Sequence, residues 1–227
     1  ADPDRVLQAN TIGTIHSFCQ GLLREFGHLV GVNPLFEIPD EVELTELQRR
    51  VADGVATEML DTSSIAGAAQ RLFGLYPFEG WQFVPGLRSW VHLAYTRARW
   101  QLLEAESARA TMVAAWRHLI APMLVEDAAE RRRRVSAEFA VPENLADFVC
   151  QFLDAHRPVV TSFAEFTRRY WERLDAEKAA AGCLSQDDAL YHTARLLHLP
   201  AVREILRDRY RFLLIDEYQD TDPLQHR

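Results

Sequence analysis

The chain ends in Phe212-Leu213-Leu214-Ile215 followed directly by Asp216-Glu217-Tyr218-Gln219-Asp220-Thr221-Asp222. An unbroken apolar run of this length predicts a strand buried on both faces, as in a parallel sheet. Such a strand needs neighbours, and open α/β sheets bind ligands at the carboxyl ends of their strands. Two adjacent carboxylates at that point suit two different tasks, one facing a metal through water and the other orienting a nucleophile. The plainer alternative is a strand end followed by an acidic turn. Gln219, Asp220 and Thr221 behind the acids favour a nucleotide site. No other segment reads as a strong partner strand, and this mismatch predicts that the chain is a piece of a larger fold.

The rest of the sequence reads as helices. Thr11 to Ile15 resembles a short strand entering a helix, with Thr14 as its N-cap and Phe18, Leu22, Leu23 and Phe26 as one apolar face. Gly27, Gly31 and Pro34 end it. Phe36-Glu37-Ile38 predicts a short strand. Leu44, Leu47, Val51, Val55 and Met59 step by three or four and mark an amphipathic helix. Further helices are expected over Ile65–Leu75, from Pro85 to about Glu106 with an aromatic stripe, over Thr111–Ile120, and over Phe163–Ala181 with a stop at Gly182. Val141-Pro142-Glu143 reads as a fresh helix start. Ser185 with Asp188 has capping-box spacing, and Pro200 opens a last helix before Tyr210 leads into the final strand.

Composition narrows the function classes. Of 227 residues 48% are apolar, enough for a sizeable core. No apolar run approaches the ~20 residues that span a bilayer, and no basic-then-apolar leader opens the chain. Cys19, Cys150 and Cys183 are odd in number and widely spaced, which points to reduced thiols in the cytoplasm rather than a disulfide framework or a zinc ribbon. The formal net charge of −8 argues against wrapping DNA by bulk attraction but leaves room for a local basic groove. Lys178 is the one lysine among 25 basic residues.

Thr14-Ile15-His16-Ser17-Phe18-Cys19 places hydroxyls, backbone N–H groups and an imidazole at a helix start, a pattern able to hold a phosphate. Phe18 reads equally as core or as a surface on which a base stacks. This hexapeptide resembles the DNA-contacting motif Ic of superfamily 1A helicases, the UvrD/Rep group. Leu214 to Thr221 resembles their motif II, the Walker B box. Leu184-Ser185-Gln186-Asp187-Asp188-Ala189-Leu190 is similar to the Leu-Asp-Phe-x-Asp-Leu stretch before that box. It departs at Ser185, Gln186 and Ala189, so only helix capping is carried onto it. The hexapeptide and the trailing Asp222-Pro223-Leu224-Gln225 lean toward the RecB/AddA helicase–nuclease branch.

The resemblance implies a mainly α chain: a helical 1B subdomain over residues 29–181, flanked by strand and helix pieces of the RecA-like α/β domain 1A at 1–28 and 182–227. It implies ATP and Mg²⁺ as cofactors, with Asp216 as the Mg²⁺ acid acting through water and Glu217 as the catalytic base. Gln219 and Asp220 would couple the nucleotide site to neighbouring motifs. Thr14, His16, Ser17 and Phe18 would line the single-stranded DNA track, with duplex DNA near 1B. A second helicase–nuclease subunit and an attached nuclease domain are further expectations, within DNA repair and recombination.

Walker A, G-x-x-x-x-G-K-[ST], occurs nowhere in the 227 residues, and Lys178 lacks the accompanying glycines. Phosphoryl transfer needs these parts together, so the chain alone is expected to hydrolyse no ATP. The alternative is a non-catalytic helical module that binds DNA or protein. Arg131–Arg134 points to several sides of a helix and reads as a solvated face. Trp90, Tyr95, Trp100 and Trp116 read as packing residues.

Overall fold

A computed structural model describes residues 13–80, 86–119, 127–138, 140, 142–216, 218, 221 and 225. Among these the architecture is helical: α1 Ile15–Phe26, α2 Glu41–Asp61, α3 Ala66–Leu75, α4 Leu87–Trp100, α5 Ala105–Leu119, α6 Ala128–Glu138, α7 Glu143–Ala181, α8 Gln186–Leu197 and α9 Pro200–Arg209, with a 3₁₀ turn at Gly27–Val30. Two compact units divide the chain. One comprises Ala1–Glu46, Thr96–Leu102 and Asp175–Arg227; the other comprises Leu47–Tyr95 and Leu103–Leu174.

In the first unit α1 and α9 both pack on α8. Leu22 and Leu23 from α1, Val32 and Phe36 from the following loop, Ala189 and Leu196 from α8, and Val202 from α9 are buried together. Phe18 and Phe26 pack at the margin of this cluster, so the helical spacing read from the sequence does form one inward face. Gly31 ends the 3₁₀ turn at φ 80°, a left-handed conformation that costs little without a Cβ. Gly182 ends α7 in the same way at φ 66°. Beside it, the predicted strand at Phe36–Ile38 is reduced to one isolated parallel bridge. Glu37 N–H donates to the Gly182 carbonyl and Leu184 N–H to the Glu37 carbonyl, both at 2.9 Å.

The second unit is built on aromatic packing. Phe73, Phe78 and Phe166 form one group, with centroids 5.7 to 6.0 Å apart. Tyr95 meets Tyr170 and Trp171 edge-on at 5.9 and 5.2 Å, geometry that favours aromatic pairs. Val51, Ala52, Val55, Ala56 and Met59 are the buried face of α2. Val135, Ala146 and Cys150 form a smaller cluster beside Trp116.

Four expectations need correction. Phe212–Ile215 is irregular and exposed, not a buried strand: Phe212 is 88% and Leu214 95% accessible. A strand exists only through its neighbours' hydrogen bonds, and no strand occurs among the described residues. The single helix expected from Pro85 to Glu106 stops at Trp100, because Leu102 takes φ 56° and turns its side chain into the cluster around Cys19, Leu190 and Tyr191. The helix expected from Phe163 begins at Glu143 and continues through Pro158. One proline removes one i→i−4 hydrogen bond, a small fraction of a helix this long. Trp90 is 52% exposed, whereas Tyr95 is buried as expected. Thr11 and Ile12 lie outside the described residues.

Adding a Cβ at Gly182 meets no atom within 4 Å, so Gly182→Ala carries the backbone cost alone. We expect it to lower unfolding stability by about 1–2 kcal/mol. Gly54→Ala, within helix α2 and equally unobstructed, is expected to raise it by about 0.5–1 kcal/mol. Chemical denaturation midpoints of the two variants, moving in opposite directions, check both.

Candidate functional site

α1 starts at the Thr14–Phe18 turn. Thr14 adopts an extended backbone (φ −72°, ψ 158°), and its Oγ1 accepts the Ser17 N–H at 3.1 Å. The Ser17 hydroxyl donates back to the Thr14 carbonyl at 2.8 Å. Both residues are exposed and His16 is half-buried, leaving polar groups at a solvent-facing helix N-terminus. Phe18 turns the other way. Its ring meets Tyr210 edge-on at 5.4 Å and packs on the Leu22/Leu23 cluster, so most of it is committed to the core.

Asp216 follows the irregular Arg211–Ile215 segment and is exposed. The Thr221 hydroxyl donates to the Tyr218 carbonyl at 2.6 Å. Glu217, Gln219 and Asp220 lie outside the described residues. Among those described, no group of three or more His, Cys, Asp or Glu side chains could hold a metal. A single exposed carboxylate is nonetheless a fitting donor for Mg²⁺, which keeps several waters and is commonly held by one or two carboxylates plus substrate phosphates.

Within the Arg131–Arg134 run, Arg132, Arg133 and Arg134 are engaged in ion pairs. Arg133 and Arg134 both pair with Glu130 at 2.8 Å, and Arg132 pairs with Asp147 at 2.5 Å. Arg133 and Arg134 are exposed and paired within their own helix, in keeping with the solvated face expected from the sequence.

The sequence reading missed the most constrained polar group in the first unit. Asp188, 1% exposed, is the third residue of α8. Its Oδ2 accepts the Ser185 N–H at 2.8 Å, while the Ser185 hydroxyl accepts the Asp188 N–H at 3.1 Å, completing the capping box. The same carboxylate receives Lys178 Nζ at 2.7 and 2.9 Å and an Arg99 Nη at 2.5 Å. The Arg99 guanidinium stacks on the Tyr191 ring at 4.0 Å and also reaches Asp175 at 3.1 Å. One acid therefore ties the last turns of α4 and α7 to the first turn of α8. The capping spacing was visible in the sequence. The only further signal was the lone lysine standing ten residues before an acid.

Burial alone would raise the Asp188 carboxyl, but the charges of Lys178 and Arg99, with hydrogen bonds from Lys178 and the Ser185 N–H, hold it well below the ordinary carboxylate range. His192, one turn further along α8, is pushed from 6.5 down to about 4, first by burial and then by the Arg99 charge.

α8 joins this ion-pair centre to the α1 turn. Thr193 Oγ1 donates to the Cys19 carbonyl at 3.4 Å, and Gln20 and Gln186 share a side-chain hydrogen bond at 3.2 Å. Cys19, Leu190 and Tyr191 bury each other, with Ile15, Trp100, Leu102 and Ala194 alongside.

These features stand beside clear sequence kinship. The family model described as the UvrD/REP helicase N-terminal domain matches residues 3–227, and the chain belongs to that family. The chain is similar to an ATP-dependent helicase/nuclease subunit of Anoxybacillus flavithermus, at 23% identity over 97% of this chain and 26% of that protein. It is also similar to the ATP-dependent DNA helicase UvrD2 of Mycobacterium tuberculosis, at 34% identity over 56% of this chain and 18% of that protein. The chain thus spans about a quarter or less of the length of these relatives.

Two stability measurements test the ion-pair centre. Asp188→Asn leaves two buried cations facing a neutral amide and is expected to cost about 3–5 kcal/mol; a loss under about 1 kcal/mol in denaturant titration would contradict the burial and pairing described. Below pH 6.5 an unfolded His192 binds a proton that the folded state refuses until about pH 4, so stability falls as pH drops through that window. The depressed Asp188 carboxyl contributes stability present above the ordinary value of 3.8 and lost only in stronger acid. His192→Gln is therefore expected to flatten the pH dependence of the melting temperature between 6.5 and 4 while leaving the steeper acid limb.

Proposed function

We propose that this chain forms part of the first motor domain of an ATP-dependent DNA helicase of the helicase–nuclease branch. The motor would couple ATP hydrolysis to translocation on single-stranded DNA during repair and recombination in the cytoplasm. The observation that carries this reading is the family match across residues 3–227, with the hydroxyl-bearing α1 turn at one end and Asp216 at the other. Similarity to a helicase/nuclease subunit over 97% of the chain favours that branch over UvrD2, matched over 56%.

In this reading residues 1–28 and 182–227 belong to the RecA-like domain 1A and residues 29–181 to the helical 1B subdomain. The division into two compact units supports an insert of this kind. Asp216 would hold the magnesium through water, Glu217 would take the proton from the attacking water, and Gln219 and Asp220 would couple the nucleotide site to adjoining motifs. Magnesium, when bound with the triphosphate, neutralises charge that develops on the phosphoryl oxygens. Thr14, His16 and Ser17 hold the DNA backbone through hydroxyl, imidazole and helix N-terminal N–H groups. Phe18 contributes to the track by anchoring that turn to the core. Single-stranded and duplex DNA and a second helicase–nuclease subunit are the partners this reading implies. Among the described residues no helix is long and apolar enough to cross a membrane.

The lack of a Walker A sequence within the 227 residues favours a second reading for the chain by itself, a non-catalytic helical module that binds DNA or protein. The two readings separate in one set of assays. The full-length protein is expected to show DNA-stimulated ATPase that Glu217→Gln lowers by about 100-fold or more, while the 227-residue chain turns over no ATP. Unchanged turnover in the full-length Glu217→Gln variant would remove Glu217 from the role of base. Robust ATPase from the short chain would overturn the dependence on Walker A.

A further inference from the structure

Arg209 and Tyr210 are adjacent, and between them they hold both ends of α1. The Arg209 guanidinium meets the Glu25 carboxylate with two parallel hydrogen bonds of 2.6 Å and lies 5.7 Å from the centre of the Phe26 ring. Tyr210 meets the Phe18 ring edge-on at 5.4 Å. Phe18 is in the first turn of α1; Glu25 and Phe26 are in its last. The chain leaves this clasp directly as Arg211–Ile215 and arrives at Asp216. A twelve-residue helix moves as a stiff rod, so a shift at the Thr14–Phe18 turn reaches Tyr210 through Phe18 and Arg209 through Glu25.

The chemistry of the clasp fits a positional task better than a stabilising one. Two parallel N–H···O bonds between a guanidinium and a carboxylate fix direction as well as distance. Glu25 and Arg209 are nevertheless 45% and 39% exposed, and pairs so open to water add little to global stability. The hydrogen bond from Arg209 holds the Glu25 carboxyl below its ordinary range, so the pair stays charged through neutral pH.

We propose that Glu25, Arg209 and Tyr210 are positioning residues that carry DNA engagement at the Thr14–Phe18 turn to the acid at Asp216. This inference rests on the helicase reading above and names the link between its two sites. The test uses the full-length protein at low salt, measuring ATP turnover with and without a single-stranded oligonucleotide. The variants are Glu25→Arg, Arg209→Glu, the two combined, and Tyr210→Leu.

Each single charge reversal, and Tyr210→Leu, is expected to lower DNA-stimulated kcat by at least about fivefold, the lower end of ordinary site-to-site coupling. Basal turnover, melting temperature and the DNA concentration giving half-stimulation stay near wild type, and the combined charge exchange restores stimulation. Unchanged stimulation in the single variants overturns the proposal. So does an equal loss of basal and stimulated turnover, or a combined variant no better than either single one. A wild-type protein whose ATPase ignores DNA fails differently, since it removes the helicase reading and the proposal with it.

Discussion

The first unit depends on one buried carboxylate. Asp188 cannot be protonated or left alone without cost, because it sits among apolar side chains with two cations directed at it. An isolated buried charge is strongly disfavoured; a buried charge with matched partners and hydrogen bonds is tolerated and demands one geometry. That demand sets where α8 begins and how it faces. The α8 face so fixed receives Cys19, Leu22 and Leu23 from α1 and Val202 from α9. The turn bearing Thr14 and Ser17 is therefore held in place through α8, by groups one helix removed from it.

Much of this was legible in the sequence, and the reasons differ by element. The apolar spacing of Phe18, Leu22, Leu23 and Phe26 announced α1 because a helix repeats its own face locally. Thr14 and Ser185 announced their helix starts, since capping is decided within three residues. Gly182 announced a stop for the same local reason. What escaped was non-local. Arg99 meets Asp188 across 89 residues, and no spacing rule links them. The stop at Trp100 follows from Leu102 packing on Cys19, Leu190 and Tyr191, residues far along the chain in both directions. Phe212–Ile215 carries the composition of a buried strand yet remains exposed here, since its hydrogen-bonding partners would have to come from strands. Of the candidate site, the α1 turn was legible down to its cap. The commitment of Phe18 to Tyr210 was not.

The two ends of the chain thus play unequal parts. The α1 turn is a finished local structure, with cap, packing and fixed direction. The acidic end is an irregular segment whose Asp216 carboxylate is exposed. The clasp of Arg209 and Tyr210 on α1 joins the capped turn to the irregular segment that leads to Asp216.

Amide hydrogen exchange on the wild-type chain and on Lys178→Met tests the organising role of Asp188 most directly. Removing one cation should loosen the start of α8, and protection should then fall together along α8 and along α1, the helix packed on it. Loss confined to the first turn of α8, with α1 exchanging as in the wild type, would contradict it.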